Sequence, residues 1–161
     1  MKCVDCEGAM TAKRENRRYV AGGLPQVVLV GVEVRRCPQC GAEELVIPRI
    51  EDLHRVLAQA LINKPARLAP TEVRFLRKYL GWSSVDFAKH MGTTRETVSR
   101  WEGGLPIGPQ ADRLLRVLVA RTAPVEDYST DTLTEIRETE RAPARLNLVA
   151  DKGGWHVKQA A

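Results

Sequence analysis

The chain has 161 residues, a formal charge of +5 and 43% hydrophobic side chains. That apolar share supports a packed core and excludes wholesale disorder, and no apolar run approaches the length of a bilayer span. Aromatic residues make up 5%, which favours small helical or metal-stapled units over a large β core, and the length suits one ordinary domain or two small ones.

The N-terminus, Met1-Lys2-Cys3, opens no apolar stretch of the kind a signal peptide needs, so a cytoplasmic location is expected. A reducing compartment turns four cysteines away from disulfides and towards a metal. Charge is spread unevenly. Residues 1–69 hold 11 Lys/Arg against 8 Asp/Glu, residues 70–123 hold 9 against 5, and residues 124–161 hold 5 against 7. The middle third, at +4, is the part suited to a polyanion, and the tail is not.

In chain order, the first forty residues open and close with cysteine pairs, Cys3-Val-Asp-Cys6 and Cys37-Pro-Gln-Cys40. Between them, β-branched runs at Val27–Val30 and Val32–Val34, punctuated by Gly22-Gly23 and Gly31, predict short antiparallel strands, with another at Glu44–Ile47. Ile50, Leu53, Leu57, Ala60 and Leu61 recur at helical spacing and predict a helix over 49–62, ended by Asn63-Lys64-Pro65. Pro65 to Pro70 reads as a linker. Four helices then follow from Thr71 to Thr122: Thr71–Leu80 closed by Gly81, one capped by Ser83 or Ser84 and ending before Gly92, one capped by Thr93 and ending at Gly103-Gly104, and one opened by Pro109 with an apolar stripe of Leu114, Leu115, Leu118 and Val119. In the tail, Asp131–Arg141 reads as a helix, and Arg145–Val149 and Trp155–Lys158 flank Asp151-Lys152-Gly153-Gly154 as a hairpin.

Two Cys-x-x-Cys turns supply the four thiolates of a tetrahedral Zn2+ site, so Cys3, Cys6, Cys37 and Cys40 are the expected ligands. The thirty residues between the pairs exceed the span of a compact zinc ribbon, but a strand pair could bridge them. With no fifth cysteine and no open position, the site reads as structural. Four ordinary buried thiols and a thiol redox switch are the alternatives. Lys2, Arg35 and Arg36 are placed to soften a tetrathiolate's charge. His54 is a conceivable ligand, although a solvated helix-face histidine is the simpler reading.

Ser83 to Trp101 meets the packing demands of a helix-turn-helix. Ala88 is small where two helix axes approach, Gly92 tolerates the positive φ of a tight turn, and Val98 and Trp101 bury the second helix against Phe87 and Met91. This leaves Thr94, Arg95, Glu96, Thr97 and Arg100 exposed. In such an arrangement the start of the second helix enters the major groove of double-stranded DNA, where an arginine fork reads guanine. Ser83, Ser84, Lys89 and Arg77 are candidate phosphate contacts. Glu96 either accepts from cytosine or closes a capping box with Thr93.

Trp101-Glu102-x-Gly104, preceded by Val98-Ser99-Arg100 and the Ala88/Gly92 pair, resembles the Cro/repressor (Xre-type) domain. The doubled Cys-x-x-Cys after Met-Lys-Cys resembles the MqsA-type antitoxins and their YgiT-type zinc-finger relatives. This resemblance covers residues 1 to about 122. It implies a homodimer through the helical domain, a palindromic operator, repression of the protein's own operon, and a zinc domain that holds a ribonuclease toxin. It makes Arg100, beside Ser99, the base reader. Glu96 departs from the family, standing where an Asn reads a base.

The expected fold is therefore α+β: a small four-cysteine zinc-binding β domain over 1–64, an all-α Xre-type helix-turn-helix domain over 65–123, and an extension over 124–161. The expected function is a sequence-specific DNA-binding repressor acting as an autoregulating antitoxin. A zinc-stabilised protein-interaction adaptor, or a regulator with no toxin, is the alternative. An enzyme is not expected, because His54, His90 and His156 occupy unrelated contexts and no nucleophile–base pair, phosphate loop or open metal position is evident. Asp131, Glu135, Glu138 and Glu140 read as a solvated acidic face.

Overall fold

The structure, a computed structural model, describes residues 1–122, 128–137 and 143–159. It is a mixed α/β chain with a five-stranded sheet and five α-helices among the described residues. The chain divides into two compact units, one formed by residues 1–20, 25–53 and 145–161, the other by residues 21–24 and 54–144.

The first unit is built on β1 (Thr11–Arg18), β2 (Val27–Arg36), β3 (Glu43–Val46), β4 (Leu146–Asp151) and β5 (Gly154–Val157). The two valine-rich runs are one long strand, β2, and not two short ones. Val27 and Leu29 are buried before Gly31, and Val32 and Val34 after it. Strict alternation would have turned Val32 and Val34 outward. A bulge resets the parity: Glu15 pairs with Val32 but Arg17 with Leu29, so two residues of β2 oppose Asn16, whose side chain accepts from the Gly31 N–H at 3.0 Å.

β1 escapes recognition by apolar pattern because it has none; its sequence is TAKRENRR. It is held as a strand by cross-strand charge. Arg36 on β2 lies 2.5 Å from Glu15 and 2.9 Å from Glu43, and Arg17 pairs with both Glu15 and Glu43. The Arg36 guanidinium beside Glu15 holds that carboxyl below its ordinary range.

The second edge of β2 is shared. Residues 33–36 pair antiparallel with β3, and Val27–Val30 pair parallel with β4. The tail hairpin is therefore part of the N-terminal sheet and not a separate extension, and one of its pairings is parallel where antiparallel strands were expected. Trp155 explains the docking. Its ring is buried, its indole N–H donates to the Pro48 carbonyl at 2.7 Å, and its backbone N–H donates to Asp52 at 2.8 Å.

The helices are α1 (Ile50–Ile62), α2 (Pro70–Tyr79), α3 (Ser84–Met91), α4 (Arg95–Gly103) and α5 (Pro109–Thr122). Within the second unit α3 packs on α4, α2 on α4, and α3 on α5. Phe87 and Val98 are fully buried, with Trp101 edge-on to Phe87 at 6.5 Å.

Residues 62–69 are bound inside this unit, not loose between domains. Arg116 is completely buried. It donates to Asp112 one turn earlier at 2.6 Å and to the carbonyls of Ile62, Lys64 and Ala66 at 3.1, 2.6 and 2.7 Å. Asp112 in turn accepts from the Leu68 N–H at 2.7 Å. Glu72 closes the same segment, accepting from Lys64 at 2.6 Å and from the Ala69 N–H at 2.7 Å. The stripe expected on α5 is correspondingly rotated. Asp112, Leu115, Arg116 and Val119 face inward, and Leu114 is 40% exposed.

The helix expected over Asp131–Arg141 is not formed in its described part. Thr130–Leu133 make a short 3-10 turn capped by Ser129, and Arg137 pairs with Ala66 as an isolated bridge. Residues 138–141, with Glu138 and Glu140 of the expected acidic face, lie outside the described residues.

Removing one member of a buried ion pair leaves the other charge and its carbonyl partners without compensation. Arg116→Met is expected to cost about 3–5 kcal/mol, read as a lowered urea midpoint with unchanged slope. A loss below about 1 kcal/mol would show that the carbonyls of 62–66 find water instead.

Candidate functional site

Two clusters carry chemistry. The first comes from the hairpin of β1 and β2. Its register, Thr11 opposite Arg36, brings the two Cys-x-x-Cys turns side by side despite the long intervening segment. Both turns have the same backbone. The Glu7 N–H donates to the Cys3 carbonyl at 2.9 Å, and the Gly41 N–H donates to the Cys37 carbonyl at 2.9 Å. The residue after each second cysteine has positive φ, Glu7 at 59° and Gly41 at 77°. Glycine bears this without strain and glutamate does not, so the first turn stores strain that the second avoids. A Cβ at Gly8 would meet the Gln39 side-chain oxygen at 2.4 Å, so a larger residue there would displace that side chain.

The four Sγ atoms lie within 4.8 Å of one another, with Cys3–Cys40 at 3.6 Å and Cys6–Cys37 at 3.4 Å. A disulfide needs about 2.05 Å, and all four cysteines are free. Tetrahedral sulfurs on a metal with bonds of about 2.3 Å stand about 3.8 Å apart. The cluster is compatible with a metal site, held by Cys3 and Cys37, which are buried, and Cys6 and Cys40, which are exposed.

The four thiols also influence one another's ionisation. The backbone N–H of Cys40, joined by that of Gln39, lowers the Cys37 thiol to about 7 against the effect of burial. Cys40 is pushed up to about 12: the Ala42 N–H favours its thiolate, but the sulfurs of Cys6 and Cys3 and burial outweigh it. Four thiolates at these distances ionise together only around a positive ion. Arg35 and Arg36, expected to soften the cluster, are instead paired with Glu33 and with Glu15 and Glu43. His54 is not part of the cluster; it packs edge-on against Phe75 at 5.8 Å, and burial lowers its pKa.

The second cluster is the α3–α4 pair. Gly92 caps α3 in the left-handed region at φ 63°, its N–H returning to the Ala88 and Lys89 carbonyls. Any Cβ-bearing residue there is strained, which explains the glycine. The cap of α4 is Thr94 and not Thr93. Its hydroxyl accepts from the Thr97 N–H at 3.2 Å and lies 3.1 Å from the Thr97 hydroxyl. The capping box expected between Thr93 and Glu96 is therefore not made. Glu96 is exposed at the first turn of α4, where the helix dipole favours a carboxylate.

Arg95, Glu96, Ser99 and Arg100 line one shallow hollow on α4, all four exposed. Thr94 is exposed and Thr97 half-buried. On α3, Lys89 is exposed and Ser84 half-buried. Ser83 caps α3 and is already engaged: its hydroxyl donates to the Asp86 carboxylate at 2.7 Å and accepts the Asp86 N–H at 3.1 Å. That contact holds Asp86 below its usual range, placing a fixed negative charge where a phosphate contact was expected. Arg77 is not a surface charge. It donates to Glu102 at 2.5 and 3.2 Å and to the Trp82 carbonyl at 2.9 Å. Arg74 reaches the same glutamate at 3.3 Å. Glu102 thus fastens α4 to α2. Its place in Trp101-Glu102-x-Gly104 had pointed only to a likeness; the nearby Arg74 and Arg77 were the available clue to its function.

No family model, curated protein or solved structure matches the chain. The chemistry of the two clusters carries the functional reading. No helix among the described residues is long and apolar enough to cross a membrane.

Purified protein is expected to carry one divalent metal ion per chain by elemental analysis. Stripping it with a chelator, or Cys37→Ser, is expected to remove the sheet contribution to circular dichroism and retain most of the helical one. Metal-free protein with an unaltered spectrum would count against a structural role.

Proposed function

We propose that this protein is a sequence-specific DNA-binding repressor, with α3 and α4 as a helix-turn-helix of the Xre type and a structural Zn2+ on Cys3, Cys6, Cys37 and Cys40. The supporting observation is the two-sided character of α4. Val98 is fully buried and Trp101 half-buried, while Arg95, Glu96, Ser99 and Arg100 share the exposed hollow. A helix fixed from behind with a polar, arginine-bearing front has the form needed to read base edges, and Arg100 is assigned the bidentate contact to guanine.

Charge supports the same surface. Among residues 70–122, Glu72 and Asp112 are buried and Glu102 is nearly so, each in an ion pair. The exposed cations include Lys78, Lys89, Arg95, Arg100 and Arg121, against the exposed carboxylates Asp86 and Glu96. Three of the five acids turn inward while most of the bases remain outside, which raises the positive potential offered to a phosphate backbone.

A palindromic operator requires two copies of the chain. Leu114 and Val117, one turn apart on α5 and 40% and 38% exposed, are apolar surface suited to a second copy. The resemblance adds autoregulation and a ribonuclease toxin held by the cysteine unit. Co-purification with the product of an adjacent ribonuclease-like reading frame tests that part separately.

Arg100→Ala is expected to weaken binding to the protein's own promoter fragment by about 1–3 kcal/mol, roughly ten- to a hundredfold, in fluorescence anisotropy. Binding by the native protein is expected to fall steeply with salt. Equal affinity of the variant and native protein for that fragment would reject the assignment of α4 as the reading helix.

A further inference from the structure

The first unit contains a cleft that neither cluster uses. It opens where β2 exchanges partners along its second edge, after the last β4 pair at Val30 and before the first β3 pair at Glu33. Its volume is about 590 Å3, within the range of small-molecule sites. Val30, Val46, Pro48 and Ala150 give it an apolar lining, and Arg14, Arg49 and Lys152 bring three cations to it.

Among the described residues, none of the three forms an ion pair with a carboxylate. Glu33, also in the lining, is ion-paired with Arg35 at 2.7 Å. Asp151 accepts from the Gly153 N–H at 2.7 Å and faces His156 at 3.5 Å. Arg14 and Arg49 are each tethered through one nitrogen to a backbone carbonyl, Arg14 to Gly31 at 3.3 Å and Arg49 to Asp151 at 2.6 Å. A tether of that kind orients a guanidinium and leaves its other N–H groups for an acceptor. Arg49 also adopts φ 47°, a left-handed backbone that costs a non-glycine residue about 1–3 kcal/mol and persists only where surroundings impose it.

We propose that this cleft binds a small organic anion: a carboxylate or phosphate monoester head held by Arg14, Arg49 and Lys152, on an apolar body lying against Val30, Val46 and Pro48. Neither half suffices alone. Three exposed cations without the apolar lining would hold inorganic ions weakly, and the lining without the cations would select no charge. The proposal rests on residues of the first unit alone and does not require the DNA-reading role proposed for α4.

Phenyl phosphate is the probe, titrated into the full-length, metal-loaded protein by calorimetry. One saturable site per chain is expected, with inorganic phosphate at least tenfold weaker. The double variant R14Q/R49Q is expected to lose at least tenfold in affinity, and Arg100→Ala to lose none. Lys152→Gln removes a cation that has no backbone tether, so it gives a second reading if the double variant misfolds; a threefold or greater loss is expected. Absence of saturable binding, equal binding of inorganic phosphate, or unchanged affinity in R14Q/R49Q and Lys152→Gln would overturn the site. Displacement of the probe by random-sequence duplex DNA would make the cleft part of a nucleic-acid surface and overturn it equally.

Discussion

A guanidinium shut away from water must give its N–H groups to acceptors within the protein, and Arg116 does so. Three of its acceptors are backbone carbonyls of Ile62, Lys64 and Ala66, and the fourth is Asp112, which also takes the Leu68 N–H. One side chain on α5 thus dictates the path of the segment leaving α1. Because α5 contacts α3 and α3 contacts α4, the pose of the exposed α4 surface depends on the same charge. A buried pair is a poor source of net stability, but the alternatives are costlier still: any rearrangement of 62–68 leaves an ion or several carbonyls unpaired. What the pair supplies is a single permitted geometry.

The second unit uses charge at two depths. Deep inside, Asp112, Glu72 and Glu102 each fix a backbone segment or a helix through a cation. At the surface, the residues free to meet an outside partner are mostly basic. Internal fastening therefore leaves most of the exposed cations unused, because each buried acid is placed where a base already lies within reach.

Much of this was legible beforehand, for identifiable reasons. α1, α4 and α5 begin or end within a residue or two of where punctuation by proline, glycine and threonine places them, since caps and breakers act locally. The cysteine cluster was legible because ligand spacing is also local. What stayed hidden depended on distant partners. β1 has the composition of a solvated loop and becomes a strand only when Arg36 and Glu43 lie beside Glu15 and Arg17. Arg116 and Asp112 look like surface charges on α5 until residues 62–68 are packed over them. Thr93 and Thr94 are chemically alike as caps, and the Gly92 turn decides between them: the Thr93 N–H returns to the Ala88 carbonyl, so Thr94 is the first residue free to cap α4.

The parallel pairing of β4 with β2 also constrains the order of events during synthesis. Val27 finds its partner Leu146 only after residues 28–145 have been made. The cysteine-bearing hairpin and the helices can fold as they emerge from the ribosome, but the sheet must wait with one edge of β2 partly uncovered. That edge is an unpaired template for other strands until residues 146–157 have been made, which makes the late-arriving hairpin a guard against misassembly as well as a piece of the fold.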